Sequence, residues 1–187
     1  MLLTLIRGYY KIKARVYLEK PFSRGEGFHV MASYAAMSIP LIIMTYWYIV
    51  YPEKTVSTSI PLPVWLRLFG IVLGGVALML LIWVHQSLGE NFRTTIALKK
   101  NHKLVTWGPY RYVRHPMYSA YVIIFISALL ISRNLVIGGS GLAIIVFLMT
   151  VRLRLEEALL IERFGHRYRL YMETTNKFFP HLARKGE

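Results

Sequence analysis

From Leu62 to Leu88 the sequence carries one fixed charge, Arg67, in an apolar stretch long enough to cross a bilayer as a single helix. A soluble domain of 187 residues has no use for so long an unbroken apolar run. Similar runs extend from His29 to Tyr51, from Pro116 to Ser132 and from Leu135 to Val151. The last two hold about 17 residues each, roughly 25 Å of helix against a hydrocarbon core of about 30 Å, so they are short or tilted spans. Only Arg133 and Asn134 separate them, which predicts a tight helical hairpin. Lipid offers no partner to backbone N–H and C=O groups, so the expected fold is an all-α integral membrane protein. It has four transmembrane helices, or five if the N-terminal segment also spans. Gly70, Gly74 and Gly75 in the second span and Gly138, Gly139 and Gly141 in the fourth allow helices to approach closely.

Basic residues set the orientation. Six precede the first span, from Arg7 to Arg24; six lie between Arg93 and Arg114; eight more follow from Arg152 onward. The opposite side keeps only Lys54, Arg67 and Arg133. The positive-inside rule therefore puts both ends of the chain and the central loop in the cytoplasm of a multi-pass membrane protein. The segment from Met1 to Leu18 carries too much charge to span and suits an interfacial helix on that face. The formal charge of +14 is accounted for by orientation and by anionic membrane lipids, so no nucleic-acid partner is expected.

The chemistry is narrowed by what the chain lacks. All nine acidic residues are glutamate, which excludes Ser-His-Asp and aspartyl-phosphate chemistry. Without cysteine there is no disulfide, no thiolate nucleophile and no thiolate-ligated metal centre. His102 and His115 lack a third ligand at metal spacing, so no metal site is expected. These two histidines lie in a short polar segment between apolar runs, His102 to Tyr118, which Pro109 and Pro116 shape into a loop. Trp107, Tyr112 and Tyr121 read as interfacial aromatics, as does His85 at the end of the second span. Tyr168 and Tyr171 are spaced to pack the C-terminal helix onto the loop, and Gly165 to end or kink the helix before it.

Beyond the fourth span, Arg152 and Glu156 stand four apart and share a helix face. Two readings of that spacing stand. In one, the arginines snorkel to headgroups and the glutamates form surface ion pairs. In the other, Arg152 binds an anionic group and Glu156 aims its planar fork.

Together these residues resemble a known family. His102-x-Leu104-Val105, Gly108-Pro109-Tyr110, Arg114-His115-Pro116-x-Tyr118, Glu156-Glu157 and Phe164-Gly165-x-x-Tyr168-x-x-Tyr171 are similar to motifs of the isoprenylcysteine carboxyl methyltransferases over about residues 85 to 180. Membrane methyltransferases of phospholipid amines share the Arg-His-Pro-x-Tyr and Glu-Glu elements. A cofactor-contacting glutamine of some members has no counterpart between Thr94 and Lys100. The resemblance implies an S-adenosylmethionine-dependent enzyme that methylates the C-terminal carboxylate of a prenylated cysteine and releases S-adenosylhomocysteine. It places the cofactor on His102, Lys103, Leu104, Val105, Tyr110, His115, Pro116, Met117 and Tyr118, and the substrate on Arg152 and Glu156. The expected layout is one membrane domain over 1–187. It comprises an interfacial segment 1–28, two spans in 29–88, a cytoplasmic cofactor loop 89–115, a hairpin 116–151 and a C-terminal catalytic helix and tail 152–187. A lipophilic prenylcysteine substrate would enter from the bilayer. The alternatives are a phospholipid or other lipid amine N-methyltransferase, an NADPH-dependent sterol-reductase-like enzyme and a non-enzymatic membrane protein.

Overall fold

The computed structural model describes residues 2–13, 39, 42–43, 45–92 and 103–180. Much of the first expected span, the stretch 14–28 and His102 lie outside the described residues. Five helices are bounded: α1 (Leu2–Lys13), α2 (Val64–Leu88), α3 (Pro116–Ser132), α4 (Leu135–Phe164) and α5 (His166–Thr174). Residues 45–50 are also helical, and short 3-10 turns occupy Pro52–Thr58, Gly89–Asn91 and Gly108–Arg111. Among the described residues the only extended pairing is two isolated β-bridges, so the fold is all-helical. α2 and α4 are long and apolar enough to cross a membrane, and α3 is a shorter apolar helix. Pro116 opens α3, where its missing N–H costs nothing and its fixed φ favours the first helical turn.

By internal packing the chain divides into two compact units, to both of which α2, α3 and α4 contribute residues. One unit comprises Gly27–Leu78 and Ala120–Val151. Its glycines act by contact. A Cβ on Gly70 would meet Leu130 and Ile131, and one on Gly74 would meet Ser127, whose hydroxyl donates to the Gly70 carbonyl at 2.7 Å. Gly138 and Gly141 lie equally close to Leu129 and Phe125, whereas Gly75 and Gly139 face open space. Glycines three or four apart thus share the packed face, as helical periodicity requires. The expected hairpin is present, with Arg133 and Asn134 as its whole connection. Arg133 takes a left-handed conformation, φ 55, that costs a side-chain-bearing residue roughly 1–2 kcal/mol. Two bonds offset it: the Ile60 amide donates to the Arg133 carbonyl at 2.7 Å, and Arg133 Nε donates to the Ile60 carbonyl at 3.1 Å. Asn134 then caps α4, its Oδ1 accepting from the amides of Val136 and Ile137 at 3.0 and 3.2 Å.

The other unit comprises Met1–Glu26, Met79–Ser119 and Arg152–Glu187. Here α1 lays Tyr10 against Phe92, with Ile6, Leu88 and Met117 packed around them. His85 belongs to this cluster. It is fully buried, its ring 4.9 Å from Tyr10 and 4.6 Å from Phe92, with Nδ1 donating to the Leu81 carbonyl at 2.7 Å. The interfacial placement expected for His85 is therefore corrected, because aromatic rings and a backbone acceptor enclose it. Trp107 and Tyr112 are exposed, whereas Tyr121, which belongs to the first unit, is buried. Past Phe164, Gly165 turns the chain at φ 54 and α5 begins, so the break expected at this glycine is observed.

Candidate active site

Every described residue expected to hold a ligand falls in the second of these units. The loop enters at Lys103, which is exposed and whose amide donates to Asn91 Oδ1 at 3.1 Å. Leu104 is half-buried and Val105 buried. Gly108 turns the chain at φ 63, and a side chain there would also strike the buried Ser87 hydroxyl, so both backbone and space require glycine. The Gly108–Arg111 turn presents Tyr110, half-buried, and the chain then reaches His115 and Pro116, both buried, and Met117 and Tyr118, both half-buried. The Tyr118 ring lies 6.0 Å from that of His115.

What fixes this loop is the C-terminal segment. The Arg114 and His115 amides donate to the carbonyls of Asn176 and Lys177 at 2.8 and 3.0 Å. The Tyr171 hydroxyl donates to the Tyr110 carbonyl at 2.5 Å, and the Ser119 hydroxyl to the Phe178 carbonyl at 3.1 Å. Tyr171 thus meets the loop as expected, and Tyr168 is buried beside it, with the two rings 5.9 Å apart.

The centre of the network is Glu157, six residues beyond the apolar part of α4. Its Oε1 accepts from Arg114 Nε at 3.3 Å, Arg114 Nη2 at 3.0 Å and His115 Nε2 at 3.3 Å, while Oε2 faces Lys177 Nζ at 2.9 Å. Arg114 spends its remaining donors on backbone, with Nη1 reaching the Met172 carbonyl at 3.0 Å and the Thr175 carbonyl. Burial alone would raise the Glu157 carboxyl, but hydrogen bonds from His115, Lys177 and Arg114 outweigh it and hold the group at about 2. Sequence reasoning missed Arg114, Glu157 and Lys177 as a unit. The available signal was the doublet Glu156-Glu157: neighbours on a helix point about 100° apart, so the two carboxylates meet different partners.

Arg152 and Glu156 stand one turn apart on α4, each half-buried, and Arg154 is exposed. Burial pushes the Tyr110 phenol well above its ordinary value, and the Glu156 charge followed by Tyr171 and Tyr118 pushes it further. Glu156, Tyr110, Tyr118 and Tyr171 therefore share one electrostatic neighbourhood. Burial likewise raises the Tyr168 and Tyr171 phenols, with the charge of Arg114 opposing it at both. These phenols stay neutral at physiological pH and act as rings and hydrogen-bond donors, not as bases. Among the described residues no three histidine or acidic side chains gather as metal ligands.

A sequence profile of the isoprenylcysteine carboxyl methyltransferase family matches residues 68–162, more than half of the chain. The protein-S-isoprenylcysteine O-methyltransferase of Schizosaccharomyces pombe is 32% identical over 94 residues, 49% of this chain and 40% of that protein. The match thus spans well under half of that relative's length. The solved structure of a eukaryotic intramembrane Ras methyltransferase, an isoprenylcysteine carboxyl methyltransferase, superposes with a TM-score of 0.59 and 22% identity. That superposition covers 95% of this chain and 64% of the other, and establishes a likeness of fold.

Proposed function

We propose that this chain, which belongs to the isoprenylcysteine carboxyl methyltransferase family, methylates the C-terminal carboxylate of a prenylated cysteine from S-adenosylmethionine, releasing S-adenosylhomocysteine. The observation that carries the reading is the gathering, within one compact unit, of the loop 103–118 and the α4 residues Arg152 and Glu156. The chemistry of the donor set fits the cofactor. Two half-buried phenol rings, Tyr110 and Tyr118, suit a sulfonium, and Glu156 adds negative potential beside Tyr110. Lys103, Leu104, Val105, His115, Pro116 and Met117 would complete that side of the site, with His102.

When bound, S-adenosylmethionine supplies an electrophilic methyl group. The acceptor carboxylate is ionised at neutral pH, so no residue has to remove a proton, consistent with phenols that burial keeps neutral. Arg152 holds the acceptor through its fork and Glu156 steadies the guanidinium. Orientation of this kind recovers roughly 7–11 kcal/mol in well-aligned reactions, which makes positioning the main contribution of the protein. The direct test is purified protein with labelled S-adenosylmethionine, offered farnesylcysteine and phosphatidylethanolamine in parallel. Methyl ester on the prenylcysteine is expected; methylation of the lipid amine alone would replace this reading by the amine one. His115→Ala and Tyr118→Ala should weaken cofactor binding in calorimetric titration, and unchanged affinity in both would remove the loop from the site.

In this reading the protein is an integral membrane protein with four spans, into which a lipophilic substrate enters from the bilayer, and the two long apolar helices α2 and α4 support its membrane character. α4 has 30 residues, about 45 Å of helix, so the apolar stretch to Val151 can cross while its charged remainder projects into water. α1, with 12 residues, is about 18 Å long and too short to cross, in keeping with an interfacial helix. By the distribution of basic residues, both ends of the chain and the cofactor loop lie in the cytoplasm. The cysteine-free chain allows a direct check. A cysteine at Glu53 should react with an impermeant reagent added to intact cells, and one at Arg167 should react only after lysis. The reverse pattern would invert the orientation.

A further inference from the structure

We infer that Glu157 is a positioning residue for the cofactor side of the site: its carboxylate fixes the His115 proton on Nε2 and leaves Nδ1 as an acceptor for an N–H or O–H group of the ligand. The identity of that ligand rests on the proposed function. The argument begins with donors and acceptors. Oε1 of Glu157 lies 3.3 Å from His115 Nε2 and 3.0 Å from Arg114 Nη2. At neutral pH the carboxylate is ionised and can only accept, so the proton in the contact with His115 must come from the ring. Arg114 and Lys177 already bring two positive charges to the Glu157 carboxylate, so the contact needs no second proton on the ring, and a ring protonated on Nε2 alone carries its lone pair on Nδ1. Among the described residues the hydrogen bond of the ring is the one between Nε2 and Glu157, and none reaches Nδ1.

The ring cannot readily turn to exchange its nitrogens. His115 is buried, Tyr118 lies 6.0 Å away on one element and Phe178 6.3 Å away on another, and its own amide is tied to the Lys177 carbonyl at 3.0 Å. Glu157 in turn is held by Arg114, whose other bonds reach Met172 and Thr175. The carboxylate therefore links the C-terminal segment to the hydrogen-bonding polarity of one loop side chain, as carboxylates bonded to the far nitrogen of metal-bound histidines do. S-adenosylmethionine offers suitable donors in its ammonium group, ribose hydroxyls and adenine amine.

The test combines a spectroscopic signature with binding. In protein labelled with 15N-histidine and held in detergent at neutral pH, long-range proton–nitrogen correlation reports the tautomer of each ring, and His115→Asn identifies the His115 signals. The neutral Nε2-protonated form is expected for the wild type. An Nδ1-protonated or doubly protonated His115 would overturn the proposal without reliance on any variant at Glu157. Glu157→Gln keeps the volume but adds an amide donor, so the tautomer should become mixed or switch. Its affinity for S-adenosylhomocysteine should fall about 3- to 10-fold, the range of one hydrogen bond, with the KM for prenylcysteine less affected than that for the methyl donor. Methylthioadenosine, which lacks the amino-acid end, separates the donors. Weakening of both ligands places Nδ1 on the nucleoside, and weakening of S-adenosylhomocysteine alone places it on the ammonium. Unchanged affinity for both in a folded Glu157→Gln protein overturns the role. If the wild type binds neither ligand, the proposed function fails, while the tautomer still decides what Glu157 does to His115.

Discussion

Alanine in place of Arg114 should destabilise the protein by about 3–5 kcal/mol, the range for removing one partner of a buried ion pair. The Arg114 side chain is only 6% exposed and joins Glu157 Oε1, the Met172 carbonyl and the Thr175 carbonyl at once. Without it, Glu157 would keep His115 and Lys177, but a buried carboxylate oxygen would lose its strongest donors and two carbonyls would lose theirs. Arg114→Lys should be intermediate, because one ammonium cannot reproduce a fork reaching three acceptors. Removing the whole charge pair should be milder than removing half, so Arg114→Met with Glu157→Met should recover much of the stability. Denaturant unfolding in detergent measures these differences, and exchange of the His115 amide, which donates to the Lys177 carbonyl, locates them. A loss below about 1 kcal/mol in Arg114→Ala would place the network on the footing of a surface ion pair.

The same network has a defined acid limit. The Glu157 carboxyl lies below its ordinary value of 4.5, at about 2, so the stability it adds is fully present above 4.5 and is lost as pH falls towards 2. The wild-type advantage over Glu157→Gln should therefore shrink as pH falls across that window.

The largest expected effect on turnover is at Arg152. If its fork aims the acceptor carboxylate, Arg152→Ala should lower kcat/KM for the prenylcysteine roughly 10- to 100-fold, the equivalent of a charged hydrogen bond, with cofactor affinity little changed. Arg152→Lys should remain substantially impaired, since it keeps the charge and loses the bidentate geometry. Glu156→Ala should act in the same direction and not additively with Arg152→Ala, because the two would work as one unit. Arg154, two positions along α4 and exposed, is the internal control, and its alanine variant should retain most activity. Near-normal turnover in Arg152→Ala would move the acceptor anchor elsewhere.

Lipid crossing depends on local length and apolarity, so much of the helix pattern was legible in the chain itself. The run from Leu62 to Leu88 became α2, Val64–Leu88, and the two-residue hairpin at Arg133 and Asn134 stands where the apolar runs break. The all-helical class followed for the same reason, since a backbone in hydrocarbon must satisfy its own hydrogen bonds. Gly165 ended its helix as its position suggested, and Tyr171 reached the loop. Residue type and motif spacing also identified the family, because the segment bearing Tyr110, His115 and Tyr118 is continuous in sequence. The long-range pairings were decided by the tertiary structure alone. Arg114 meets partners 43, 58 and 61 positions away, and no local pattern encodes which of its neighbours will return to it. The doublet Glu156-Glu157 carries no mark of which member turns inward, since a step of about 100° separates them and only packing selects the face. His85 likewise gave the signature of an interfacial ring, and was buried because α1 and Phe92 close over it from elsewhere in the chain. Local physics set the helices and their breaks, whereas burial and charge pairing depend on which distant segments the fold brings to the same place.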